Sequence, residues 1–375
     1  MPQIYLDYNA STPIAPEVVA VMRGAMNRAF GNPSSPHWAG VPARQMVEKA
    51  RGQLADLLGC TPQEVVFTSG GSEANNFALQ GAFFASKRAR RHIVTTQIEH
   101  PAIVAPCQFL EQLGAEITWL PVDGAGRIDP DDVRRAITSD TVMISIMHAN
   151  NEVGTVQPIA DCTAIAREHG IPFHTDAAQS VGKIPTRVDE LGVDLLTVAG
   201  HKLYAPKGVG ALYVRKGFTL EPLIHGAGHE GGRRAGTESA LLTAALGEAC
   251  VLASNLSEMK EVKVLRDRFW EALRENHGTG ILLNGDPERR LPNTLNVSFI
   301  GHIGTEILTA LDGIAASTGS ACHSGRIELS PVLEAMGVPP EVGVGAVRFS
   351  LGRGTTDQEI DTVVEALSNV LSRNV

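Results

Sequence analysis

No stretch of the 375 residues approaches the ~20 consecutive apolar positions that a bilayer-spanning helix needs. The opening residues, Met1-Pro2-Gln3-Ile4-Tyr5-Leu6-Asp7, carry neither a charged leader nor an apolar run of signal length. Cysteine is scarce. Cys60, Cys107, Cys162, Cys250 and Cys322 are odd in number, widely spaced and without a CxxC pair. That excludes a disulfide framework and fits free thiols in a reducing compartment, so a cytoplasmic protein is expected. Basic charge is also in deficit. Lys and Arg number 32 against 41 Asp and Glu, a net −9, which argues against nucleic-acid or anionic-membrane binding. The one basic cluster, Lys87-Arg88-Ala89-Arg90-Arg91, reads as a solvated helix end before a strand. No internal repeat, low-complexity tract or flexible linker is visible. The glycine-rich run Thr68-Ser69-Gly70-Gly71-Ser72 matches neither the P-loop nor the dinucleotide fingerprint. His225-Gly226-Ala227-Gly228-His229 is too glycine-rich for a helix and lacks a completing ligand set, so no metal is expected.

What is present is a globular composition, 43% hydrophobic and 19% charged, long enough for two domains. Short apolar runs alternate with helix-like stretches from about Val65 to Val214. The expected strands are Glu64–Thr68, His92–Thr96, Glu116–Leu120, Val142–Met147, Pro172–Asp176, Asp194–Val198 and Gly210–Val214. Amphipathic segments such as Asp131–Ile137 and Ile159–His169 lie between them. This alternation predicts an α/β fold, with a mostly parallel seven-stranded sheet covered on both faces. Beyond about Leu252 the texture changes. A charged helix (Leu256–Asn276), a strand (Leu291–Phe299), a helix (Gly304–Leu311), a strand (Val347–Ser350) and a helix (Asp357–Leu371) predict a smaller α+β domain. Residues 13–255 are expected to form the large domain. Residues 1–12 and 256–375 should form the small one.

Several predicted strand ends carry chemistry. Asp176 closes one apolar run, and Lys202 follows another on the Gly-rich turn Gly200-His201-Lys202. Together they suggest a pyridoxal phosphate (PLP) site: the lysine would form a Schiff base with the aldehyde, and the aspartate would keep the ring nitrogen protonated. Gln179 could donate to the ring's phenolate oxygen. Thr68-Ser69-Gly70-Gly71-Ser72 follows a strand and opens a helix, which suits a phosphate but also suits an ordinary capped turn. His100 could stack on an aromatic cofactor and move protons, or simply hydrogen-bond locally. Asn150-Asn151-Glu152 lies on the same sheet edge and reads equally as a capping turn. Arg348 could clamp a carboxylate or form an inter-domain ion pair. Cys322, in Gly319-Ser320-Ala321-Cys322-His323-Ser324-Gly325, is flanked by small polar residues, as an exposed, moving thiol would be. The other four cysteines read as packed small hydrophobes.

The ordered set of motifs resembles the NifS/IscS-type cysteine desulfurases, class V aminotransferase relatives among the fold-type I PLP enzymes. The resemblance runs from Tyr5-Leu6-Asp7-Tyr8-Asn9 and Thr68-Ser69-Gly70-Gly71-Ser72-Glu73 through Glu99-His100, His148-Ala149-Asn150-Asn151-Glu152, Asp176-Ala177-Ala178-Gln179 and Gly200-His201-Lys202. It continues through Gly236-Thr237-Glu238 and Ser320-Ala321-Cys322 to Arg348-Phe349-Ser350. It implies a dimer that converts L-cysteine to L-alanine. Lys202 would be the Schiff-base lysine, His100 the ring-stacking acid/base, and Asp176 and Gln179 the ring-tuning pair. Gly71, Ser72, His201 and Thr237 would hold the phosphate, with Thr237 supplied by the partner subunit. Asn151 and Arg348 would bind substrate. Cys322 would take the sulfur as a persulfide and pass it to an acceptor protein, such as an iron-sulfur scaffold or a thiolation enzyme. Departures occur at Ala199, where the family often has Ser, and at Gly71-Ser72 in place of Ala-Thr. Cys322-His323-Ser324 is similar to selenocysteine lyases, so selenium release is the alternative. Two further readings keep Cys322 without PLP: a catalytically silent sulfur carrier, and a thiol hydrolase.

Overall fold

The computed structural model describes residues 3–319, 322–323, 326–327 and 329–372; for 322–323 and 326–327 it describes the backbone alone. In chain order the strands are β1 (Ile4–Tyr5), β2 (Val65–Thr68), β3 (Arg91–Thr96), β4 (Ala115–Leu120), β5 (Thr141–Ser145), β6 (Phe173–Asp176) and β7 (Leu195–Ala199). They continue with β8 (Gly210–Val214), β9 (Ile281–Asn284), β10 (Thr294–Phe299), β11 (Ile314–Ala315), β12 (Cys322–His323), β13 (Arg326–Ile327) and β14 (Ala346–Ser350). Seven strands form the large sheet in the order β2-β8-β7-β6-β5-β3-β4. From β7 to β4 every pair is parallel, whereas β8 is antiparallel to both β7 and β2. The seven-stranded α/β sheet expected from sequence is therefore present, with one reversed strand. The reversal follows from loop length. Only residues 200–209 link Ala199 to Gly210, too few for a parallel crossover, so the chain turns back as a hairpin.

Side-chain alternation explains why the sheet is covered twice. Val65 and Phe67 pack into one apolar cluster with Leu54, Leu246 and Ile165, while Val66 between them joins Phe77, Phe83 and Leu110 on the other face. Ile93 and Val94 divide in the same way, as do Leu195 and Leu196. The helix Gly40–Leu58 stops at Gly59, whose left-handed φ of +71 makes the C-terminal cap.

A third apolar cluster gathers Phe269, Phe299, Phe349, Leu367 and Val363 with Ile4 and Leu6 from the start of the chain. It fills the space between the antiparallel sheet β14-β10-β9 and the helices Ser257–His277 and Asp357–Leu371. The second helix begins with a Thr356–Glu359 capping box and buries Ile360, Val363, Val364 and Leu367, a stripe at helical spacing. β1 joins this region by pairing parallel with β11. The expected strand at Leu291 starts three residues later. Pro292 has no N–H for a ladder, and Thr294 N–H instead closes a turn on the Leu291 carbonyl. Among the described residues no single helix is long and apolar enough to cross a membrane; Ala240–Ala253 and Ser257–Gly280 meet the length and composition needed only together, across a 70° bend.

Candidate active site

The forward ends of β2, β3, β5, β6 and β7 meet at one edge of the large sheet, and the loops that follow them enclose a cavity of about 600 Å³. Open α/β sheets hold ligands at this edge. The helix Gly71–Ala85 opens directly after β2 and points its first turn at the cavity. Glycine is required here. A Cβ at Gly210 would come 2.8 Å from the Gly70 Cα, and Gly70 itself has φ +155. Residues 71 and 199 face each other: a Cβ at Gly71 would lie 3.1 Å from the Ala199 Cβ.

Gly71, Ser72, His100, Asn151, Asp176, Gln179, His201, Lys202 and Arg348, all singled out from sequence, line this cavity. Thr237 does not; it is exposed in the loop before the helix Ala240–Ala253. The Cys322 and His323 side chains lie outside the described residues, as do Ser320, Ala321, Ser324 and Gly325. The backbone places Cys322 opposite Ile327 and His323 opposite Arg326.

Asp176, at the last position of β6, is buried. One carboxylate oxygen accepts from Asn75 Nδ2 at 2.6 Å and the other from the Ala178 N–H at 2.9 Å. Lys202 Nζ donates to the carbonyls of Asn9 (2.5 Å) and Ala10 (2.8 Å). Burial, and then the Arg348 charge, depress this amine to about 8, against the pull of Asp7 and Asp176. His100 caps the helix Pro101–Gln112, and its Nδ1 accepts from the Ala102 N–H at 3.0 Å. An accepting Nδ1 carries no proton, so the neutral ring keeps its proton on Nε2. The exposed surface of His100 faces the cavity, whose walls desolvate it and lower its pKa; Lys202 adds to this and Asp176 opposes it. His201 is pushed down to about 4, first by burial and then by Lys202 and Lys207. Arg348 donates to Asp7 Oδ1 (2.7 Å) and to the Asn151 carbonyl (3.1 Å), while its buried Nε has no partner among the described residues. It is thus both an ion-pair residue and a wall of the cavity.

Some residues enter the site that sequence reasoning gave no role. The Asn9 carbonyl takes the Lys202 ammonium together with Gln179 Nε2 (2.9 Å). Lys183 donates to Gln179 Oε1 at 2.9 Å and to Asn9 Oδ1 at 3.2 Å. Asn75 holds Asp176. The available signals were the one-turn spacing of Gln179 and Lys183, and the position of Asn75 one turn into a helix that opens on the cavity. The four described cysteines outside the Cys322 segment are unpaired. In Cys60, Cys107, Cys162 and Cys250 burial drives the thiol up to about 12, leaving negligible thiolate at neutral pH.

A broad open depression of about 760 Å³ beside His277 and His302 lies far from this convergence of polar groups. It has no carboxylate–lysine–imidazole set of the kind found at the sheet edge.

The sequence profile of the aminotransferase class-V family matches residues 4–363. A relative from Dictyoglomus turgidum, the cysteine desulfurase IscS, is 47% identical over 375 residues, covering 99% of this chain and 95% of the relative. Among solved structures, a NifS-like protein superposes with a TM-score of 0.93 at 36% identity, covering 99% of both chains. SspA in complex with cysteine superposes with a TM-score of 0.84 at 38% identity, covering 94% of this chain and all (100%) of SspA.

Proposed function

Since this chain belongs to the aminotransferase class-V family, we propose that it is a PLP-dependent cysteine desulfurase that moves sulfur from L-cysteine to Cys322. The observation that carries the reading is Lys202: an amine with a depressed pKa, in the same cavity as the fixed carboxylate of Asp176. The donor set suits PLP. Asp176 offers a buried anion for the ring nitrogen, Lys202 an amine for the aldehyde, and Gln179 an amide for the ring oxygen. The first turn of the helix at Gly71, with Ser72 and His201, offers donors for the phosphate. Nothing among the described residues would meet a Cβ at Gly70, so that loop leaves room for a ligand to approach the backbone closely.

When bound, PLP supplies an electron-accepting ring for the pair released at the substrate α-carbon. The chain's own residues do the rest. Arg348 and Asn151 hold the substrate carboxylate and orient the α-carbon. Lys202 takes the α-proton, a task suited to an amine near pKa 8. The Cys322 thiolate attacks the substrate sulfur. The new S–S bond forms as the Cβ–S bond breaks, and the bonding pair stays on the product carbon. That carbon takes a proton, assisted by His100 through Nε2–H, and Lys202 returns a proton to the α-carbon, giving L-alanine and a Cys322 persulfide. The depressed reactivity of the other cysteines supports Cys322 as the nucleophile.

A second copy of the chain is proposed to bring Thr237 to the phosphate. In support, Thr237 is exposed outside its own cavity. Phe30 (71% exposed) and Trp38 (80%) form an edge-to-face pair on the surface that a partner would cover. We also propose the domain division at residues 12/13 and 255/256, which the separate apolar clusters support. The free thiols favour a cytoplasmic setting, and a protein acceptor for the persulfide sulfur is proposed on the family resemblance.

The test is the visible absorption spectrum of the purified protein before and after L-cysteine. A cofactor band that shifts on addition, with alanine formed, is expected. Lys202→Ala should abolish the band and the turnover. Cys322→Ala should keep the band but form no persulfide; desulfuration at the unaltered rate in that variant would exclude Cys322 as the acceptor. The same assay with selenocysteine separates the alternative chalcogen.

A further inference from the structure

We propose that Glu152 is a positioning residue for sulfur transfer, its carboxylate tying together the two ends of the segment that carries Cys322. The inference deepens the desulfurase reading and rests on it for the chemistry.

The backbone at Glu152 is fixed first. Asn150, fully buried, accepts the N–H groups of Glu152 (2.8 Å) and Val153 (3.0 Å) on its side-chain oxygen and donates to the Ile98 carbonyl. From β10, Asn296 Nδ2 donates to the Glu152 carbonyl at 3.2 Å. The neighbouring Asn151 lines the cavity and Glu152 does not. Its carboxylate is directed instead at residues 319 and 330.

At the far end of the segment, Ser330 is buried, and its Oγ accepts the Val332 N–H at 3.1 Å. Its hydroxyl proton goes to Glu152 Oε2, at 2.5 Å. At the near end, Gly319 lies so close that a Cβ there would overlap Glu152 Oε2 and stand 3.0 Å from the Ser330 Cβ. Gly319 has no left-handed φ, so glycine serves here for room and not for conformation. One carboxylate thus meets both residue 319 and residue 330. Just outside this clamp, Ser317 exchanges two backbone bonds with Arg348 (3.1 and 2.7 Å), which ties the near end to a wall of the cavity. Leu329 packs with Val332, Leu333 and Ile98 at the far end. Burial raises the Glu152 pKa, and the Ser330 hydrogen bond and then the Arg348 charge partly offset this; in either protonation state Oε2 can accept the Ser330 proton. A thiol that must reach a substrate sulfur is sensitive to where its loop is rooted, since misplacement by about 1 Å can cost about 100-fold.

The experiment uses full-length holoenzyme variants Glu152→Ala, Glu152→Gln and Ser330→Ala. Cofactor absorbance, and its change on adding L-cysteine, should match the unaltered protein. Single-turnover persulfide formation on Cys322, read by mass spectrometry, should fall roughly 10- to 100-fold in Glu152→Ala. Glu152→Gln, which keeps an acceptor for the Ser330 hydroxyl, should lose less. Persulfide formation at the unaltered rate in Glu152→Ala would overturn the proposal. So would a parallel loss of the cysteine-induced spectral change, which would assign Glu152 to substrate binding or folding. If Cys322→Ala still desulfurates cysteine normally, the functional reading fails by itself. The clamp is then judged by limited proteolysis between residues 319 and 330: faster cleavage in Glu152→Ala supports it, and equal cleavage removes it.

Discussion

Lys183 shows how a single buried charge can matter to this site. It is 8% exposed, and its ammonium is held by Gln179 Oε1 and Asn9 Oδ1. The bond fixes the Gln179 amide with its oxygen toward Lys183 and its nitrogen toward the Asn9 carbonyl. Burial, then the charges of Lys202 and Arg348, lower the Lys183 amine to about 7. An unfolded lysine titrates near ~10.4. Between those values the unfolded chain binds more protons, so stability rises with pH; below about 7 the penalty is complete. The melting temperature of the unaltered protein minus that of Lys183→Met should therefore climb between pH 7 and pH 9. A flat difference would show that the amine titrates normally. Asp176 and Lys202 were legible in the sequence because each follows an apolar run and pairs chemically with the other. Lys183, Asn75 and Asn9 were not, because the contacts that bring them to the site span long separations: Lys183 meets Asn9 across 174 positions and Asn75 meets Asp176 across 101.

Elements were legible where local chemistry sets their limits. The helix Asp357–Leu371 was read at its observed bounds because its capping box and apolar stripe are both local. Strand β9 was not read, because four residues close behind a long helix become a strand only by pairing with β10. The reversed direction of β8 is likewise a property of the connection and not of the strand. The loop after β8 is held by a buried ion pair that no periodicity announces. Arg51 meets Glu230 through two bonds of 2.8 Å, and Glu230 also accepts the Phe67 N–H at 2.9 Å. Glu230 holds this place with a left-handed φ of +50. Glu230→Ala should destabilise the protein by about 3–5 kcal/mol, since it strands a buried guanidinium. Glu230→Gly, which tolerates the backbone angle, should recover part of that loss. Denaturant melts of the pair separate the charge from the strain; equal midpoints for all three proteins would contradict both.

The whole molecule depends on apolar clusters that different parts of the chain share. The cluster between the antiparallel sheet and the last helix rests on Phe269, fully buried and edge-to-face with Phe349 at 5.1 Å. Phe269→Ala should cost about 3–5 kcal/mol, measured by thermal or urea melts of the holoenzyme. A loss below ~1 kcal/mol would mean that the site collapses around the gap. The change of texture beyond Leu252 made the smaller antiparallel sheet and its helices legible. It did not indicate how closely that region and the sheet edge share polar groups, which appears only once residues 9, 151, 294 and 348 are neighbours.

Asn9 carries that sharing to a consequence for biosynthesis. Its carbonyl receives Lys202, its side chain engages Lys183, Asn293 and Thr294, and its N–H donates to Ser350 Oγ. A ribosome that has released the lysine loop has not yet supplied the residues that pin the floor beneath it. The bonds of Asn9 are complete only once Asn293, Thr294 and Ser350 have been made, and tight loading of a ligand at this edge waits for them.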